Sequence, residues 1–214
     1  MTDGPLFPLW KTGRLRMATD GHGVTMLVCA QGCPLDCKLC INPQSKPFGC
    51  ENQISPSQLY DLVKQDGLYY SATGGGIAFG GGEPLLHSAF ISRFRRVIPE
   101  EWHIYAESSL AVPEKNVYEA AETVDHFFID IKDIDPVIYK AYTGADNGTA
   151  ISNLHLLLKL AGSDRITVRV PLIPGYNTEK DRKRTVAYLR GAGVSSIDLF
   201  RYRIPSDKKA GSEV

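Results

Sequence analysis

Residues 24–40 read VTMLVCAQGCPLDCKLC, from Val24 to Cys40. The first six, Val24 to Cys29, form a short run with the apolar, β-branched character of a buried strand. A loop containing glycine and proline comes next, with Cys33, Cys37 and Cys40 spaced as C-x3-C-x2-C. In parallel α/β sheets ligands sit beyond the C-terminal ends of the strands, so a strand that empties into three thiols marks both a fold class and a place to look for chemistry.

Strand–helix alternation continues outward from that stretch. After a long loop to Ile54, Ser55-Pro56-Ser57-Gln58 opens a helix: Ser55 caps it, Pro56 suits its first turn and Gln58 closes a capping box. Residues 77–79 read as a strand, 87–97 as a helix and 103–106 as a strand, with another helix starting near Pro113. In the second half 126–131 is a strand, and 136–141 and 150–161 are helices. A strand follows at 165–170. Thr178 and Asp181 cap a helix that continues through 186–190 and stops at Gly191 and Gly193, and 196–200 is a last strand. This alternation predicts a parallel sheet with right-handed crossovers, in six strand–helix units or five and a final strand. A closed eight-unit barrel takes about 250 residues. The 214-residue chain is therefore expected to fold as a partial, open TIM-type barrel, about (βα)6, with the cysteine loop after its first strand. Residues 1–205 read as one domain, and 206–214 as a polar tail expected to be disordered.

Lys+Arg and Asp+Glu both number 24, so the formal net charge is zero, which argues against bulk nucleic-acid binding. No run of about 18 apolar residues is present, so no membrane span is expected. The richest apolar stretch, 154–161, is interrupted by His155 and Lys159. The first residues lack a charged segment followed by an apolar one, so the expected location is cytoplasmic. In that compartment five cysteines, an odd number, make a poor disulfide framework.

Three thiolates on one short loop can converge on a soft metal centre and leave its coordination incomplete. Structural zinc closes with four ligands, and an ordinary 4Fe-4S cluster takes four cysteines. Cys29 or Cys50 could supply a fourth ligand, so a closed centre stays open as an alternative; Cys29 also fits a small apolar residue of the core. About forty residues on, Gly80-Gly81-Gly82-Glu83-Pro84 follows a strand, a place where glycine lets backbone approach a ligand and a carboxylate can accept from an ammonium. Gly74-Gly75-Gly76 lacks a following G-K-[ST], so no nucleotide P-loop is indicated.

The cysteine spacing with the glycine–glutamate segment resembles the radical S-adenosylmethionine (SAM) superfamily. The order of further segments is similar to activating enzymes of glycyl radical enzymes, of the pyruvate formate-lyase activase type. Those segments are Asp20-Gly21-His22-Gly23, Gln31-Gly32-Cys33, residues 71–76 running into Gly81-Gly82-Glu83, Asp130-Ile131-Lys132, and Arg169 with Pro174-Gly175-Tyr176. The resemblance implies that Cys33, Cys37 and Cys40 ligate a 4Fe-4S cluster whose fourth iron takes SAM. Reduction then yields a 5′-deoxyadenosyl radical that abstracts hydrogen. It also implies SAM contacts from Leu39, Cys40, Ile41, Gly81, Gly82, Glu83, Asp130, Lys132, Arg169 and Arg203, the last standing where the family has a histidine. Glu107 and Ser108 occupy the place of an Asp-Thr pair, and with Asp130 imply a monovalent cation beside SAM.

By the same resemblance the partner is a glycyl radical enzyme, and the electron donor is flavodoxin- or ferredoxin-like. Leu39 and Ile41 depart from the family's aromatic and polar residues flanking the third cysteine, which removes ring stacking on adenine but not backbone contacts. Two other readings remain. One keeps cluster and SAM but acts on a small molecule or peptide, as in compact enzymes of the 7-carboxy-7-deazaguanine synthase kind. The other is a zinc-stabilised binding module using Cys33, Cys37, Cys40 and Cys50.

Overall fold

The computed structural model describes residues 4–202. Among these residues eight strands form one sheet: β1 (Phe7–Met17), β2 (Val24–Ala30), β3 (Gln53–Ile54), β4 (Gly76–Gly81), β5 (His103–Ser108), β6 (His126–Asp130), β7 (Ile166–Leu172) and β8 (Ser196–Arg201). Their spatial order is β3-β1-β2-β4-β5-β6-β7-β8. From β2 through β8 every neighbour is parallel. The crossovers carry α1 (Pro56–Val63) and α2 (Gly67–Thr73), then α3 (Ser88–Arg95), α4 (Glu114–Ala121), α5 (Pro136–Thr143) with α6 (Gly148–Ala161), and α7 (Glu179–Gly191). Among the described residues this is five strand–helix units and a final strand, the open (βα)6 arrangement expected. The 206–214 tail lies outside the described residues.

One part of the sheet differs from the expectation. The sequence pattern does not announce β1 and β3, and both run antiparallel: β1 pairs with β2 on one side and with β3 on the other. Pro8 and Gly13 interrupt β1, register shifts fall between Leu9 and Lys11 and between Gly13 and Arg16, and Lys11, Arg14 and Arg16 break its apolar pattern. A sequence reading looks for clean alternation without proline, and this strand offers neither.

Local signals set several of the helices as expected. The Ser55–Gln58 and Thr178–Asp181 capping boxes both form. Asp135 adds a cap that the sequence reading lacks, holding α5 through the amides of Val137 and Ile138. The apolar core lies between the sheet's outer face and the helices, and joins Met26 and Val28, Ile77 and Phe79, Phe127 and Ile129 to Leu59, Phe90, Phe94, Val117 and Leu154. The sheet curls so that the β1–β2 turn and β8 line a single cavity of about 460 Å3, although no hydrogen-bonded ladder joins them. The two edge strands, β3 and β8, are joined by no ladder among the described residues, which leaves the barrel open on that side.

Candidate active site

Loops following β2, β4, β5, β6 and β8, together with Arg169 of β7, line a second cavity of about 430 Å3 at the C-terminal rim. The cysteine loop is stitched to its surroundings by backbone bonds. The Cys33 amide donates to the Lys46 carbonyl (3.0 Å), the Asp36 amide to Thr143 (2.8 Å) and the Lys38 amide to Tyr142 (3.1 Å). The C-terminal turn of α5 thus gives its free carbonyls to this loop, satisfying both. Cys33, Cys37 and Cys40 are unpaired, half-buried and all line the cavity. Burial pushes the Cys33 thiol up to about 12 and raises Cys37 as well. Thiols held this way become thiolates when a metal centre displaces their protons.

The other two cysteines stand apart. Cys50 donates its thiol to the Leu9 and Asn52 carbonyls (3.6 and 3.3 Å) and does not line the cavity, so the four-cysteine zinc set does not assemble. Cys29 is fully buried, as expected, with its thiol raised to about 11 by burial. It lies outside the helix-covered core, however, being out of step with Met26, Val28 and Ala30, which do belong to it.

The glycine segment locks onto the cysteine loop. Gly82 and Glu83 donate their amides to the Ala30 and Gly32 carbonyls, both at 2.9 Å. A Cβ at Gly82 would stand 2.3 Å from the Gly32 oxygen, so only glycine permits the contact. Glu83 is 1% exposed, and its carboxylate has four donors: the Ser108 hydroxyl (2.7 Å), the Ser109 hydroxyl (2.7 Å), the Ser109 amide (2.9 Å) and the Leu85 amide (3.2 Å). Burial pushes this carboxyl up, and the serine donors pull it back down. With its acceptor sites filled, Glu83 ties the loop after β4 to the loop after β5.

Two ion pairs complete the wall. Arg169 Nη2 donates to Glu107 Oε1 at 2.7 Å, and the guanidinium lies 4.7 Å from the Phe128 ring centre. Burial raises the Glu107 carboxyl while Arg169 opposes the shift. Lys132, 5% exposed, contacts Asp130 Oδ2 at 3.1 Å and donates to the Tyr202 hydroxyl at 3.0 Å. Burial works against its charge, but Asp130, Tyr202 and Cys37 outweigh it and hold the ammonium well above its ordinary range. Asp130 Oδ1 is buried and has no partner among the described residues.

Every expected cofactor-contacting residue that is described lines this cavity, with the exception of Leu39. Arg203 lies outside the described residues. Sequence reasoning missed Ser109 and Tyr202: the second serine of a pair at a strand end was a usable signal for the first, but a tyrosine after the last strand gives none.

The donor set fits the implied groups. Three thiols on one cavity wall suit a cluster with an open iron, and the orphaned Asp130 oxygen is an acceptor waiting for a donor. Guanidinium and carboxylates facing the same space suit a zwitterion.

The family model described as the Radical SAM superfamily matches residues 27–189, and the chain belongs to that superfamily. A 4Fe-4S cluster and SAM are typical of that family. Among its curated relatives, the (2S)-3-sulfopropanediol dehydratase activating enzyme of Klebsiella oxytoca is 37% identical over 128 residues, covering 59% of this chain and 39% of the relative. The choline trimethylamine-lyase activating enzyme of Oleidesulfovibrio alaskensis is 28% identical over 248 residues, covering 86% and 79%. A solved domain of the pyruvate-formate lyase-activating enzyme from Bacteroides vulgatus superposes with a TM-score of 0.52 at 26% identity, covering 63% of this chain and 87% of that one. The chain thus spans less than half the length of the first of these relatives.

Proposed function

We propose that this chain holds a 4Fe-4S cluster through Cys33, Cys37 and Cys40, binds SAM beside it, and activates a glycyl radical enzyme by taking hydrogen from a glycine Cα of that partner. The observation that carries this reading is the single rim cavity that gathers all three cysteines with Gly81, Gly82, Asp130, Lys132 and Arg169. Its relatives named as activating enzymes support the partner class. When bound, cluster and SAM supply a reductively generated carbon radical able to attack an unactivated C–H bond.

The chain's own residues position and shield that chemistry. Gly81 and Gly82 present backbone to the SAM ammonium, with Glu83 fixing their loop from behind. Arg169 offers its guanidinium to the carboxylate, and the free Asp130 oxygen accepts from a hydroxyl or ammonium. Ile41, 82% exposed at the cavity edge, gives adenine an apolar surface. A monovalent cation beside Glu107 and Asp130 would enter where Arg169 and Lys132 already balance both carboxylates, so its binding depends on the SAM carboxylate drawing Arg169 away.

The partner's glycine-bearing loop enters by the open side of the barrel. The cavity between the β1–β2 turn and β8 shares Arg169 and Phe200 with the rim cavity, so the two lie side by side. A flavodoxin- or ferredoxin-like protein supplies the electron.

The test is anaerobic incubation of reconstituted, reduced protein with SAM and candidate glycyl radical enzymes, followed by electron paramagnetic resonance (EPR). The expected result is a glycyl radical doublet on the partner. SAM cleavage with no doublet across such partners would shift the reading to a small-molecule or peptide substrate.

A further inference from the structure

Tyr139 of α5 is 1% exposed, and its hydroxyl has no hydrogen-bond partner among the described residues. Burying a hydroxyl without a partner is unfavourable, so such a group in a well-packed region calls for an acceptor. The ring packs in a small cluster with Leu35 and Ala150, against Cys33 and Cys37. The charged or ionisable groups that act on its hydroxyl are Cys37, Lys132, Glu83 and Cys33. Lys132 is a donor only, already engaged with Asp130 and Tyr202. The Glu83 carboxylate holds four donors. Of these four groups the two cysteine sulfurs are the acceptors left, Cys33 already taking the Leu35 amide.

The surrounding backbone sharpens the point. The Cys33, Asp36, Lys38 and Cys40 amides are spent on the carbonyls of Lys46, Thr143, Tyr142 and Cys37. Four amides of the cysteine loop therefore bind carbonyl oxygens and the Leu35 amide bonds the Cys33 sulfur, while the tyrosine hydroxyl, in the cluster packed against Cys33 and Cys37, has nothing yet to donate to. We infer that the Tyr139 hydroxyl donates to the sulfur shell of the iron–sulfur centre and sets its reduction potential. This rests on the reading that Cys33, Cys37 and Cys40 hold a 4Fe-4S cluster.

A donor to a ligating or bridging sulfur stabilises the reduced centre, which carries one more negative charge, more than the oxidised one. Tyr139 thereby raises the potential and eases electron delivery. Removing its hydroxyl costs the metal-free protein no hydrogen bond seen in the structure. Tyr70 makes a matched control. Its hydroxyl is likewise buried and without a partner, but its ring packs on Trp102, and its charged neighbours are Asp66 and Arg14.

The experiment compares wild type, Tyr139→Phe and Tyr70→Phe, each reconstituted anaerobically with iron and sulfide. Iron content and absorbance establish loading, and an EPR-monitored redox titration gives the potential. Tyr139→Phe should load fully while its reduction equilibrium falls about fivefold, the equivalent of about 40 mV more negative at 59 mV per tenfold. Tyr70→Phe should match wild type. The metal-free Tyr139→Phe protein should melt no lower than wild type. A loaded Tyr139→Phe protein with an unshifted potential overturns the inference alone. So does a metal-free variant that melts well below wild type, because the hydroxyl would then be bonded within the protein. A wild type that takes up no iron overturns both this inference and the cluster reading beneath it.

Discussion

Along β6, Phe127 and Ile129 are fully buried in the helix-covered core, whereas His126, Phe128 and Asp130 are half-buried and meet each other's neighbours on the concave side. The same division runs across the next strands. Ile104 and Ala106 of β5 and Ile166, Val168 and Val170 of β7 belong to the core, while Tyr105, Glu107, Thr167 and Arg169 do not. On the concave side the contacts are polar or aromatic: His126 to Thr167 at 3.0 Å, Thr167 to Ser196 at 3.2 Å, Arg169 to Glu107 at 2.7 Å, and Phe128 among His126, Tyr105 and Arg169. One face is held by apolar burial, the other by paired charges and hydroxyls around two cavities. Stability therefore sits on the outer face and chemistry on the inner one, a residue apart on the same strands.

Neighbouring residues of β6 offer the sharpest way to break that division. Phe127→Ala removes a fully buried ring and should cost about 3–5 kcal/mol in urea unfolding. Phe128 lines the cavity beside β8, and Phe128→Ala should cost less than half as much while weakening binding of the substrate loop. Equal losses from the two variants would mean the inner face is core as well.

A smaller effect is expected at the inner ion pair. Arg169→Met leaves Glu107 buried without its cation and should cost about 2 kcal/mol at pH 8, less than for a fully buried pair. Burial already raises the Glu107 carboxyl, and losing Arg169 raises it further. The folded variant then binds a proton that the unfolded chain releases. Its deficit is present above the ordinary carboxylate value and is relieved as pH falls through the raised one. Urea melts at pH 8 and pH 5 should show the gap to wild type narrowing at the lower pH. A deficit independent of pH would place the loss in packing rather than charge.

The outer half of this comparison was legible in the sequence. Apolar runs, capping boxes and glycine stops mark the parallel strands and their helices to within a few residues, because each is a local signal. β1 was not legible: although its partner β2 follows directly in the chain, its proline, glycine and charges suit a bent strand whose apolar pattern is broken. At the site, motif spacing located Cys33, Cys37, Cys40 and Gly81–Glu83, which share one cavity as expected. The spacing could not show how the charges are divided. That Arg169 pairs with Glu107, that Glu83 is saturated by Ser108 and Ser109, and that Tyr139 is left with a free hydroxyl depend on residues brought together from 25 to over 100 positions apart.

Whether Cys33, Cys37 and Cys40 hold a cluster with an iron open to SAM is decided by EPR of the anaerobically reconstituted, reduced protein with and without SAM, alongside Cys37→Ala. The expected result is a brown protein whose reduced-cluster signal changes on adding SAM, and a colourless Cys37→Ala with neither signal nor SAM cleavage. A colourless, zinc-loaded, iron-free wild type, or a Cys37→Ala variant that cleaves SAM normally, would contradict it.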